Sequence, residues 1–244
     1  DHRDLNYPLR RQRQMCIRDR IIVESMSCAN VCAAKLIEES ESLALFRIHE
    51  PPAQSKLREL RNFQAFVNHP WPDDEIATAD IKALLEALPA AEESNVLQRM
   101  VLRCMSQAAY EPTGKGHFGL ALEGYVHFTS PIRRYPDITI HRQIKSILER
   151  QNVAEDDKEY LLELGRDCSQ LERRAERAER MLSDWIKCEL VERQVGGKVI
   201  GTIVSVTEFG LFIELDGFFV DGLLHVSELG DDYFIFDKER MTLV

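Results

Sequence analysis

The sequence changes character once, at "QVGGKVIG" (residues 194–201), and no other feature limits the possible folds as much. Gly196 and Gly197 follow a long charged stretch of helical period and end it, because glycine is costly inside a helix. Upstream, residues 155–194 include "RRAERAER", and Leu161, Leu164, Cys168, Leu171, Ala175, Ala178 and Leu182 recur at three–four spacing. That pattern predicts an amphipathic helix with a solvated charged face, on which Glu176 and Arg180 form a favourable i,i+4 pair. Downstream, "KVIGTIVSVTEFGLFIELDGFFVDGLLHVSEL" alternates and turns as a compact all-β module does, with about three strands legible before Val244. The chain is therefore expected to be α+β, with a helix-rich region over 21–195 and a β module over 196–244.

Within the first region, "IIVESMSCANVCAAKLIEES" predicts a helix from Ile21, with Val23, Met26, Asn30, Ala33 and Ile37 on one face. "LALFRIH" (43–49) predicts a strand stopped by "EPPA". "SKLRELRNFQAFV", "TADIKALLEAL" and "SNVLQRMVLRCM" return to helical period, with Thr78 expected as the N-cap before Asp80. "HFGLALEGYVHFT" (117–129) suits a strand or paired strands, and "ITIHRQIKSILER" a helix with Ile140, Ile144 and Ile147 on one face. The first twenty residues stand apart. "QMCIRDR" back-translates to CAG-ATG-TGT-ATA-AGA-GAC-AG, the end of a transposon adaptor used in sequencing libraries, so residues 1–20 read as non-native and Arg10, Arg11 and Arg13 carry no function.

One segment carries chemistry. "HFTSPIRRYPDITIHR" (127–142) sets two arginines between two prolines and a histidine–arginine pair one helical stretch later. Ser130 and Pro131 read as an N-cap and first-turn pair, and a helix start directs free N–H groups at an anion. Arg133 can fork two donors onto phosphate oxygens, and its charge does not titrate at working pH. Such a group stabilises charge that builds on phosphoryl oxygens in a transition state. Asp137 reads as an ion-pair partner or first-turn acid. The net charge of −10 argues against indiscriminate adhesion to nucleic acid or anionic membrane, while leaving room for a locally basic channel. No apolar run reaches the roughly 18–20 residues of a membrane span, and the start has no apolar signal-peptide core. The six cysteines show no CxxC pair or disulfide framework, which points to a reducing cytoplasm. Cys28 and Cys32, one turn apart, read as buried thiols on an apolar helix face.

At "GHFGLALEGYVHFTSPIRRYPDITIHR" the sequence closely resembles the bacterial ribonuclease II and ribonuclease R family. The likeness runs from about Ile21 to Val244, through "ANVCAA" and "LFRIHEPP". "RRYPD" and "FVDGLLHVSEL" make it more similar to the ribonuclease R branch. The resemblance implies the C-terminal part of an RNB catalytic domain followed by a truncated OB-fold RNA-binding barrel. It also implies processive 3′-to-5′ hydrolysis of single-stranded RNA to nucleoside monophosphates, with magnesium. Arg133 matches the family's catalytic arginine, and Arg134 is given backbone binding at most. Ser130 belongs to the same RNA-binding segment. His141 and Arg142 would line or brace the channel, His141 being either a structural histidine or an RNA contact. Glu179 falls where some members carry a glutamate affecting activity, and reads equally as part of a solvated face. Glu24 matches one of an acidic pair whose neighbouring position is Val23 here. In the β module Phe209, Phe212 and His225 match base-contacting positions, with barrel core as the alternative for Phe212, since Leu211 or Phe212 must face inward. Lys198 is a candidate phosphate contact.

The family holds magnesium with a tight aspartate cluster that lies upstream of the matched region. Asp73–Asp74, Asp156–Asp157 and Asp231–Asp232 lack its context and read as solvated turns, so no metal ligand is assigned and the chain alone is expected to be inactive. The rival reading is a non-catalytic RNA-binding protein beginning near Ile21.

Overall fold

The computed structural model describes residues 6–62, 76–88, 92–149, 158–218, 220–230, 233–237 and 242–244. In chain order the elements are α1 (Asn6–Glu39), β1 (Phe46–Ile48), α2 (Gln54–Asn62), α3 (Thr78–Ala87), α4 (Glu92–Cys104), β2 (Ala109–Glu111), α5 (Tyr135–Leu148), α6 (Lys158–Glu192), β3 (Gly201–Thr207), β4 (Gly210–Leu215), β5 (Val220–His225), β6 (Phe236–Asp237) and β7 (Thr242–Leu243). The mixed architecture agrees with the α+β expectation. The chain divides into two compact units, Asp1–Pro51 with Ser106–Leu171, and Pro52–Met105 with Glu172–Val244.

The first unit is built on α1, α5 and the antiparallel β1–β2 pair, in which Arg47 faces Tyr110. Ala33, Ala34, Ile37, Ala44, Phe46, Ile48, Val126 and Ile140 form its core, with Ile144, Ile147 and Phe128 packed against it. Alanines on α1 keep the helix surface low, so the α5 isoleucines reach it and fill the space. The first third of α6 closes on β2 through a glycine. A Cβ on Gly165 would lie 2.5 Å from the Tyr110 carbonyl oxygen, so only glycine permits this approach. Ser169 completes the seam by accepting the Tyr110 N–H at 3.0 Å while donating to the Gly165 carbonyl at 2.7 Å.

In the second unit α2 packs on α4, where Lys56 Nζ donates to the Arg103 carbonyl at 3.3 Å. Arg99 of α4 pairs with Glu214 of β4. Strands β3, β4 and β5 form an antiparallel meander and β6 pairs with β7, so the described strands of this unit make two sheets and no closed barrel. Gly210, at φ +150°, opens β4 where a Cβ would lie 2.2 Å from the Leu224 carbonyl oxygen. That close approach sets the β4–β5 register from its first pair.

Several expectations from the sequence differ from the structure. Helix α1 begins at Asn6 and crosses the segment read as non-native, consistent with the helix propensity of its Leu, Arg, Gln and Met residues. Its predicted apolar face is buried only from Asn30 onward, and Val23 is exposed. Cys28 and Cys32 are exposed, not buried, because they flank the stripe that faces the core. The N-cap of α3 is Ala77, not Thr78: Asp80 reaches back and accepts the Ala77 N–H at 2.8 Å, half of a capping box. Residues 117–129 form no paired strands. A single 3₁₀ turn over Phe118–Leu120 ends at Ala121 in the left-handed region, which breaks the ladder after one bridge from His117 to Leu122. The α6 stripe is buried at Leu161, while Leu171 and Leu182 are exposed, as are Met181, Trp185 and Leu190.

Candidate functional site

The segment from Phe128 to Asp137 is fixed by side chains on both main helices of the first unit. Asn30 of α1 is buried; its Oδ1 accepts the Phe128 N–H at 3.0 Å and its Nδ2 donates to the Tyr125 hydroxyl at 2.8 Å. From α5, His141 Nε2 donates to the Phe128 carbonyl at 2.9 Å, and its ring stacks on the Phe128 ring with centroids 4.2 Å apart. Two residues later, at Ser130, the chain enters a tight turn. The N–H groups of Arg133 and Arg134 both point to the Ser130 carbonyl, at 3.3 and 3.2 Å. Asp137, fully buried in the first turn of α5, accepts the Ser130 N–H at 2.7 Å and Arg134 Nη2 at 2.8 Å, both on Oδ2.

Helix α5 therefore starts at Tyr135 with Arg134 as N-cap and Pro136 in its first turn, not at Ser130–Pro131. The Ser130 N–H, expected to face an anion, is taken by Asp137, and that carboxylate already occupies the positive end of the α5 dipole. Arg134 is held by the same carboxylate. Arg133 differs from its neighbours. Its side chain is exposed and its guanidinium has no partner among the described residues, so its five donors remain available. Ile132 beside it is fully exposed and Tyr135 is half exposed. Arg142, two helical turns beyond Tyr135, shares that exposed face of α5.

Behind the turn lies a cluster of aromatic and imidazole rings. Tyr110 Oη and His127 Nδ1 are 2.8 Å apart, Tyr125 meets His127 and His117 edge-on, and His117 stacks on His49 at 5.1 Å. Arg47 lies over the Tyr110 ring at 4.7 Å. Burial, then the charges of Arg134 and Arg47, pushes the His127 pKa down to about 3. Burial, then His49 and Arg47, pushes His117 down to about 4, and burial lowers His49. These rings are neutral at pH 7 and add no charge to the turn. The site's positive charge toward solvent is that of Arg133 and Arg142.

In the β module the register decides between Leu211 and Phe212. Phe212 pairs with Leu223 and Gly210 with His225, so these positions share one face of the meander. On β5 the exposed residues are Asp221, Leu223 and His225, so this face is the open one and Leu211 points the other way with Leu224. Phe209 precedes β4, 43% exposed, and meets Phe212 edge-on at 6.0 Å. The Val226 N–H donates to the Phe209 carbonyl at 2.9 Å, which ties Phe209 to the His225 end of β5. The exposed Leu223 belongs to this surface, and only the strand register reveals it. Lys198 is exposed at the opposite end of β3, away from the aromatic group.

The remaining candidates are dispersed. Glu24 is exposed in the middle of α1, 3.9 Å from Arg20. Glu179 is exposed on the part of α6 that belongs to the second unit. No three His, Cys, Asp or Glu among the described residues gather as a metal site would require. Asp73–Asp74, Asp156–Asp157 and Asp231–Asp232 lie outside the described residues. The described residues thus provide no ligand set for magnesium. No helix among them is long and apolar enough to cross a membrane.

Comparison with known proteins places this geometry in a class. Residues 10–150 match the RNB domain and residues 192–243 the S1 RNA binding domain. The chain belongs to the RNB domain family, and the relatives it resembles are ribonuclease R proteins. Ribonuclease R of Escherichia coli K12 is 44% identical over 236 residues, covering 92% of this chain and 29% of the relative. Ribonuclease R of Vibrio cholerae is 38% identical over 237 residues, with the same coverage. Among solved structures, Mycoplasma genitalium RNase R in complex with ribose methylated single-stranded RNA superposes with a TM-score of 0.83 at 27% identity, covering 92% of this chain and 36% of that one. The chain thus spans 29% of the length of the Escherichia coli and Vibrio cholerae relatives.

Proposed function

We propose that this chain is the arginine-bearing part of a magnesium-dependent 3′-to-5′ exoribonuclease that hydrolyses single-stranded RNA to nucleoside monophosphates in cytoplasmic RNA turnover. The observation that carries the reading is Arg133. It is the group of the 130–134 turn whose donors are unspent, while Ser130 and Arg134 are tied to Asp137. A planar, permanently charged guanidinium in a fixed turn suits a phosphodiester, onto whose two non-bridging oxygens it can fork. Charge on those oxygens grows as the attacking oxygen bonds to phosphorus, so the same contact strengthens toward the transition state. The open face carrying Phe209, Phe212, Leu223 and His225 would grip the incoming strand by stacking, which tolerates any base. The complex of the Mycoplasma genitalium protein with single-stranded RNA supports this choice of ligand.

The proposal assigns the 244-residue chain binding without hydrolysis. Incubated with a labelled single-stranded oligoribonucleotide and magnesium, the chain is expected to retain the RNA intact. Release of nucleoside monophosphates would contradict that assignment, and failure to bind would contradict the reading as a whole.

A further inference from the structure

We infer that Asp137 is a positioning residue that holds the phosphate-binding turn in the shape that presents Arg133. This rests on Arg133 being the phosphate contact. The carboxylate is fully buried, and its Oδ2 receives two donors from opposite sides of the turn: the Ser130 N–H at 2.7 Å and Arg134 Nη2 at 2.8 Å. Those two residues bracket Arg133. The Ser130 carbonyl meanwhile accepts the N–H groups of Arg133 and Arg134. Ser130 is thus held at both its N–H and its carbonyl, and the five-residue turn is closed on a single oxygen atom of α5.

The chemistry explains why two arginines stand in sequence. Arg134 is the counter-charge that makes a buried carboxylate tolerable, since an unpaired one would be expelled or neutralised. Arg133 is thereby free of that carboxylate. Were Asp137 neutral, Arg134 would lose its partner and Ser130 its charged acceptor, and the turn would sample other shapes. Asn30 and His141 fix only the Phe128 end of the segment. Restraint of the arginines themselves falls to Asp137.

The test uses the full 244-residue chain with a single-stranded oligoribonucleotide as probe. Amide hydrogen exchange reads the turn directly. In Asp137→Asn the Ser130, Arg133 and Arg134 amides should exchange at least about tenfold faster, as loss of a charged hydrogen bond implies. The Ile140 amide, in the second turn of α5, should be unchanged. RNA affinity should fall about tenfold in Asp137→Asn and in Arg133→Ala, and the double variant should bind no worse than Arg133→Ala alone. Additive losses, or unchanged turn exchange, would overturn the inference. Equal acceleration at Ile140 would do the same, by showing global destabilisation. If Arg133→Ala leaves RNA binding intact, the functional reading fails, while turn exchange still decides whether Asp137 shapes the segment. Should Asp137→Asn not fold, Arg134→Ala removes the same pair from its more exposed side and is expected to loosen the same three amides.

Discussion

The arginine turn and the β-module face reach the same proposed ligand by opposite designs. In the turn, polar groups are spent internally: Asn30 and His141 hold Phe128, Asp137 holds Ser130 and Arg134, and one guanidinium is left over. On the β face little is spent. Phe209, Leu223 and His225 are open to solvent, and His225 bonds only its neighbour Ser227 among the described residues. A fixed charge discriminates between charge distributions, as catalysis requires. Exposed rings accept any base of a moving strand, as transport requires. On the proposed function, preorganisation is concentrated at the turn that would contact the scissile phosphate.

The largest effect that would break this contrast concerns turnover. In a ribonuclease that carries the whole catalytic domain, Arg133→Ala should lower kcat by roughly 10²–10³-fold, the usual loss for one transition-state donor. RNA affinity should fall much less. Equal loss in both would show uniform binding and erase the distinction between the regions. Next in size, Phe209→Ala should weaken single-strand binding by about 1–3 kcal/mol, alike for purine and pyrimidine oligonucleotides. A base-dependent loss would mean that the β face reads sequence. A smaller, graded difference should appear with pH. His127 and His117 have folded pKa values of about 3 and 4 against 6.5 when free. Between 6.5 and those values the unfolded chain binds protons that the folded chain does not. Stability of the first unit should therefore fall as pH drops from about 6.5 toward 4. Hydrogen exchange should register this around Tyr110 and Val126 before it appears in β3–β5. Uniform loss of protection in both units would contradict the neutral-histidine cluster.

What the sequence made legible follows from how far each signal reaches along the chain. The "RRYPD" motif makes Arg133 a candidate, and the reading of Asp137 as an ion-pair partner agrees with its bond to Arg134 three residues away. The change at Gly196–Gly197 marked the start of the β module, which β3 follows at Gly201. Asn30 is buried on the face its spacing predicts, but its partners Tyr125 and Phe128 are nearly a hundred residues distant and leave no local signal. Periodicity on α6 predicts the helix, but of its apolar stripe only Leu161 is buried, and the other buried positions are Gly165 and Ser169. The place of Phe212 needed the β4–β5 register, which alternation alone leaves ambiguous between two faces. Short-range chemistry was readable, and long-range partnership was not.

The central claim is that Arg133 supplies a phosphate contact which the β face does not. The most direct measurement is the salt dependence of oligoribonucleotide binding by the 244-residue chain. Each phosphate contact on a single strand contributes a slope of about 0.7 in log affinity against log salt. Arg133→Ala should reduce the slope by about that amount, while Phe209→Ala should weaken binding and leave the slope unchanged. An unaltered slope in Arg133→Ala would contradict the account.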